Sequence, residues 1–187
     1  MNLENHVKNL DDSLERINYI YQNEEILTEC IKSHEGITLY SETYGPFEKG
    51  KKYRLKLFIA RVFIKNDVLK VEQSQKCDSI DVQRYAIAES DDLKIVRRSD
   101  EFFLNKIKEF KIFMEKDVDS NSRPKIDLDR YKSYTVNVIN SRLEKLLRLA
   151  QTDLSLDDEQ RLTRSEKILY EYLSQFIKSW RFFFLTN

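Results

Sequence analysis

The chain has 187 residues, of which 41% are hydrophobic, 12% aromatic and 34% charged, and its 32 Lys and Arg balance its 32 Asp and Glu. That apolar content excludes a disordered chain, and zero net charge argues against a protein that coats nucleic acid without sequence preference, which needs a clear basic excess. Cys30 and Cys77 form no Cys-x-x-Cys pair, and His6 and His34 are too few to complete a usual zinc set, so neither a metal nor a cofactor is expected. The two cysteines read either as one disulfide or as two buried thiols in a reducing compartment.

Residues 3–21 place Leu3, Val7, Leu10, Leu14, Ile17 and Tyr21 at spacings of four and three, a heptad-like stripe on one helix face. The start of the chain is acidic and amphipathic, unlike a signal peptide, and no apolar run approaches the roughly 20 residues of a membrane span. The expectation is a cytoplasmic protein with no membrane contact. Residues 26–34 suit either a helix continuing to Gly36 or a strand. Ile37–Ser41 is a strand candidate with Thr38 and Tyr40 on one face and Ile37 and Leu39 on the other.

All three glycines fall between positions 36 and 50, and Pro46 stands among them. Glycine and proline punctuate backbone structure, so this stretch must turn while the rest can be helical. Residues 53–64 alternate as a strand would, yet Leu55, Ile59 and Val62 also share a helical face. Val68–Val71 reads as a further short strand. Residues 1–44 hold three basic against nine acidic side chains, whereas residues 45–65 hold seven basic against one acidic. Either the two segments neutralise each other within the fold, or Lys49, Lys51, Lys52, Arg54 and Lys56 face DNA or an acidic partner.

Residues 73–100 are polar and suit a connector with a short helix near Val82–Ala88. Ser99 or Asp100 can cap the next helix, in which Phe103, Ile107, Phe110 and Met114 form an apolar stripe. Residues 119–124 form a loop. Asp127 caps a helix to about Gln151 with Leu128, Tyr131, Val138, Ile139, Leu143, Leu146, Leu149 and Ala150 as a broad apolar arc. Arg142 falls within that arc and either pairs with a carboxylate inside the fold or makes an ion pair with another subunit. An acidic linker, 152–162, leads to a capping box at Thr163–Glu166. The last helix is expected to bury Leu169, Tyr172, Leu173, Phe176, Trp180 and Phe183 along one side. Phe182 and Phe184 flank that stripe, and a helix apolar on nearly every side lies between other helices or in a subunit interface.

The fold expected is mainly α with a small β-rich domain. An N-terminal amphipathic segment (1–35) and the β-rich domain (36–75) precede a helical domain (76–187). No catalytic constellation is present: there is no Gly-rich phosphate loop and no His-Glu-x-x-His, and the Ser33-His34 adjacency lacks an orienting acid. The chain reads as a non-enzyme.

Tyr44-Gly45-Pro46-Phe47-Glu48-Lys49-Gly50, with Leu55, Ile59-Ala60 and Val68–Val71, resembles the small β-rich B domain of GINS subunits. Asp100-Glu101-Phe102-Phe103, the run Asn140–Ala150 and the run Leu162–Tyr170 are similar to helical motifs of the same family's A domain. The β module comes before the helical bundle, which is the order of one archaeal GINS subunit type. The resemblance implies a non-catalytic scaffold subunit of the replicative helicase complex in DNA replication, nucleoid-associated in a prokaryote. It implies a heterotetramer with a second GINS subunit type, and contacts to the MCM helicase, a RecJ-like or Cdc45-like protein, and primase or polymerase. DNA contact would be indirect or weak. The candidate partner interface is Arg142, Lys145, Phe176, Trp180, Phe182, Phe183 and Phe184. The alternative is a single-stranded nucleic-acid-binding module using residues 49–65, where Tyr53, Phe58 and Phe63 interleave with Lys and Arg as stacking platforms would.

Overall fold

The computed structural model describes residues 3–39 and 41–186, so expectations placed on Tyr40 and on the side chain of Leu3 lie outside the described residues. The protein is mainly helical with a small antiparallel β region. Two compact units divide the chain: Tyr19–Lys76, and Met1–Asn18 with Cys77–Asn187. The β unit therefore takes in residues 19–35 as well as the segment that follows Gly36.

In the β unit, strands β1 (Glu25–Cys30), β4 (Lys52–Lys56) and β5 (Leu69–Val71) form an antiparallel sheet in the order β4-β1-β5. The ambiguous segment 26–34 thus begins as a strand. Its alternate residues Ile26, Thr28 and Cys30 are buried, a period of two that no helix would produce. Thr28 pairs with Tyr53 on one side and with Val71 on the other. The second ambiguous segment divides. It is strand to Lys56, then helix α2 (Leu57–Lys65), which buries Leu57, Ala60, Phe63 and Ile64. Val62, expected on the buried face, is exposed.

Strands β2 (Ile37–Leu39) and β3 (Glu42–Tyr44) form a separate hairpin. Its base explains two of the three glycines. Gly36 (φ +95°) and Gly45 (φ +117°) cross so closely that a Cβ on Gly36 would lie 2.0 Å from the Tyr44 carbonyl oxygen, and one on Gly45 would lie 2.6 Å from Gly36 Cα. Only glycine fits both the space and the positive φ. The Gly45-Pro46 peptide is cis. Just below, the His34 and Phe47 backbones exchange hydrogen bonds of 2.9 and 2.8 Å. Phe47 is buried and packs edge-on against Tyr53 and Phe63.

Helix α1 (Leu3–Gln22) has most of its length in the helical unit, which also holds α3 (Ser79–Asp91), α4 (Phe103–Asp119), α5 (Lys125–Leu149), α6 (Leu156–Glu159) and α7 (Arg164–Leu185). Of the described side chains of the α1 stripe only Ile17 and Tyr21 are buried, and Val7 is exposed. The polar connector contains the full three turns of α3, capped by a reciprocal box between Asp78 and Asp81. Asp100 accepts from the Phe102 amide at 2.8 Å, and α4 follows with Phe103, Ile107, Phe110 and Met114 all buried. Tyr131 of α5 is buried against this core and donates to the Ile107 carbonyl at 2.9 Å. A second cluster joins Ile95, Leu146, Ala150, Leu162 and Tyr170. The α5 arc is narrower than expected, since Ile139 and Leu143 are exposed. The acidic linker contains α6, capped by the Ser155 hydroxyl.

Candidate functional site

Helix α5 carries Arg142 and Lys145 into the interior of the helical unit, where three cations share two carboxylates. Arg142 grips Glu166 of α7 in a bidentate fork, with Nε–Oε1 and Nη2–Oε2 both at 2.7 Å. Its Nη1 donates to Glu89 of α3 and to the Val96 carbonyl. Lys145 Nζ spends all three protons on Glu89 Oε2 (2.9 Å), the Glu89 carbonyl (2.6 Å) and the Lys94 carbonyl (2.9 Å). Arg98 also reaches Glu89, at 3.5 Å, over the rings of Tyr85 and Phe103. Burial alone would weaken the charge on Arg142, but Glu166 and Glu89 outweigh it and hold its pKa above the ordinary value. Arg142 and Lys145 are therefore not on a partner surface, as one expectation had it. They are 1% and 8% exposed, and internal partners take their charges.

The aromatic end of α7 lies elsewhere. The first half of the helix is anchored through buried Glu166, Tyr170 and Ser174; of the stripe expected to be buried, Leu169, Tyr172 and Leu173 are only half-buried and Phe176, Trp180 and Phe183 are exposed. Phe176 is exposed, and Trp180, Phe182, Phe183 and Phe184 are 65%, 70%, 76% and 64% exposed. Among the described residues, no element of the helical unit covers Trp180, Phe182, Phe183 and Phe184, and the core ends at Leu173 and Ile177. His6 of α1 packs edge-on against Phe176 at 5.3 Å. A groove of about 480 Å³ runs between α5 and α7, lined by Leu147, Gln151, Phe176, Ile177, Trp180 and Arg181. Leu147 also ends an exposed stripe on α5 formed by Val136, Ile139 and Leu143. Large exposed apolar patches of this kind mark interaction sites.

The basic segment of the β unit is largely paired with local carboxylates. Lys51 meets Glu48 at 2.8 Å, Lys52 meets Glu72 at 3.1 Å, and Arg54 meets Glu25 at 3.9 Å. Lys49 and Lys56 are exposed. The proposed stacking platforms are mostly internal. Phe63 is buried, and Tyr53 packs on Phe47 while its hydroxyl accepts from the Glu48 amide. Only Phe58 of the three is exposed. Ser33 Oγ accepts from the Lys49 amide and His34 Nδ1 from the Gly36 amide, so both serve local backbone geometry. Both cysteines are free and buried, and burial pushes the Cys77 thiol up to about 11 against the opposing hydrogen bond from Tyr131.

Sequence reasoning missed Glu89, the carboxylate at the centre of the ion network. The signal was Arg142 itself, since a cation inside an apolar arc requires a buried anion. No helix among the described residues is long and apolar enough to cross a membrane. No protein-family model matches the chain, and no curated protein matches it in sequence.

Proposed function

We propose that this chain is a non-catalytic scaffold subunit that assembles through the aromatic half of α7 and the exposed stripe of α5. The observation that carries this reading is the run Trp180 to Phe184, four large aromatics of which each is more than half exposed. Burying such side chains is worth roughly 1.5–3 kcal/mol each, so a partner that covers them gains substantial binding energy. The buried ion network supports the same reading, because it fixes α7 on α5 and so presents the groove as a preformed surface.

The resemblance to GINS subunits names the partner: a second GINS subunit type in a heterotetramer that supports the MCM helicase with a RecJ-like or Cdc45-like protein. The paired state of Lys51, Lys52 and Arg54 favours this over direct single-strand binding. The test is a pull-down from native extract with the full chain as bait, read by mass spectrometry for MCM and a second GINS-like subunit. Co-purification of both at defined stoichiometry is the expected result. A stable monomer at micromolar concentration that captures neither would sink the proposal.

A further inference from the structure

A polar cleft of about 250 Å³ opens in the helical unit between the loop before α4 and the turn that leads into α7. Arg97, Arg98, Arg161, Arg164 and Lys167 line it, from two separate stretches of sequence. Its acidic residues are largely spoken for. Asp100 accepts from the Phe102 amide, Glu101 holds Arg164 at 2.6 Å, and Glu159 holds Lys167 at 3.2 Å. Outside the cleft, Asp157 takes Arg161 at 3.1 Å.

Five basic side chains line the cleft against three acidic ones, and with Asp157 and the ion network behind the wall counted, one positive charge remains without a matching anion. Behind the cleft wall, Arg98, Arg142 and Lys145 share only Glu89 and Glu166, which leaves one excess charge. Arg98 links that network to the cleft. Its side chain is 15% exposed, and its Nε is buried with no hydrogen-bond partner among the described residues. Arg97, which is exposed, adds a charge that the Asp100 carboxylate in the same lining offsets. Arg164 is braced for anion recognition, because its guanidinium stacks on Phe102 at 4.7 Å and its amide is fixed to the Glu101 carbonyl. Guanidinium forks match tetrahedral oxyanions, and a concave site with excess charge of one sign concentrates the opposite ion.

We infer that this cleft binds a phosphate group, either the free ion or the terminal group of a small phosphomonoester. An oxyanion matches the sign of the excess charge and offers acceptors to the unpartnered Arg98 Nε, and the cleft is too small for a folded partner. The site shares no lining residue with the aromatic groove, so it stands independently of the assembly proposed above.

The experiment measures thermal unfolding and calorimetric binding of the full chain with inorganic phosphate and with glycerol phosphate. Chloride at matched ionic strength is the reference. Phosphate is expected to raise the unfolding midpoint at one site per chain while chloride does not. Arg97→Ala with Lys167→Ala should weaken binding about tenfold or more, the loss expected for a charge-assisted contact. Lys51→Ala with Lys52→Ala should leave it unchanged. Binding of free phosphate alone assigns the ion, and equal or tighter binding of the ester assigns the terminal group. An equal response to chloride overturns the inference. So does phosphate binding that survives Arg97→Ala and Lys167→Ala in folded protein, or binding seen only with a single-stranded oligonucleotide.

Discussion

The two halves of α7 carry the same kind of apolar periodicity and meet opposite fates. From Arg164 to Ser174 the helix is tied down by the Glu166 fork, by the Tyr170 hydroxyl donating to the Thr152 carbonyl, and by packing of Leu169 and Leu173. From Phe176 to Leu185 a more apolar sequence faces outward, apart from Ile177, which still packs on the core. Periodicity tells which residues share a face; it does not tell whether the chain itself supplies the surface that covers them. That depends on residues elsewhere, here on where the cluster around Leu146 and Leu162 ends.

The sharpest way to break this contrast is to remove the anchor of the first half. Glu89→Ala strips Arg142 and Lys145 of a shared carboxylate in a buried site, which should cost roughly 3–5 kcal/mol in denaturant unfolding. A loss under 1 kcal/mol would mean that water reaches the network. Tyr170→Phe removes a single hydrogen bond of 3.0 Å and should cost about 1 kcal/mol. In the second half, Trp180→Ala and Phe183→Ala should each change unfolding free energy by less than about 0.5 kcal/mol, the range of surface substitutions. The same two variants should cut capture of the partner proposed above by tenfold or more, as interface anchors do. If they destabilise the isolated chain as much as Tyr170→Phe, the halves are not different in kind.

The smallest effect contrasts buried and surface ion pairing. The Ser74 hydroxyl and amide, with Lys52, hold the Glu72 carboxyl down to about 2 from an ordinary 4.5. A depressed carboxyl stabilises the fold fully above the ordinary value and loses that contribution as pH falls through the depressed one. The destabilisation caused by Glu72→Gln should therefore be measurable at pH 6, shrink below about pH 4.5, and vanish near pH 2. A deficit that persists at pH 2 would assign the effect to packing.

Local chemistry was the legible part of this molecule. The α4 stripe, the Thr163–Glu166 cap and the turn around Gly45-Pro46 each depend on residues within a few positions of one another. Features that require distant partners were not legible. Residues 26–30 become a strand because β4 and β5 take up their backbone groups, and nothing between Ile26 and Cys30 announces those neighbours. Glu89 is one acidic residue among many on paper, and only the approach of α5 makes it the centre of the ion network. The contiguous basic run at 49–56 was conspicuous yet is largely neutralised, whereas the cations of the cleft are scattered from position 97 to 167 and converge only in three dimensions.

The crossing of Gly36 and Gly45 sets a constraint on sequence drift. A side chain at either position collides with main-chain atoms of the other leg, so no second substitution nearby can make room. The two positions are locked individually and not as a compensating pair. A Cβ at Gly50, by contrast, would meet nothing within 4 Å, so its φ of +84° is the only barrier, one that asparagine tolerates better than other residues. In a saturation library, the hairpin should therefore show two intolerant columns nine residues apart and one permissive column five residues further on.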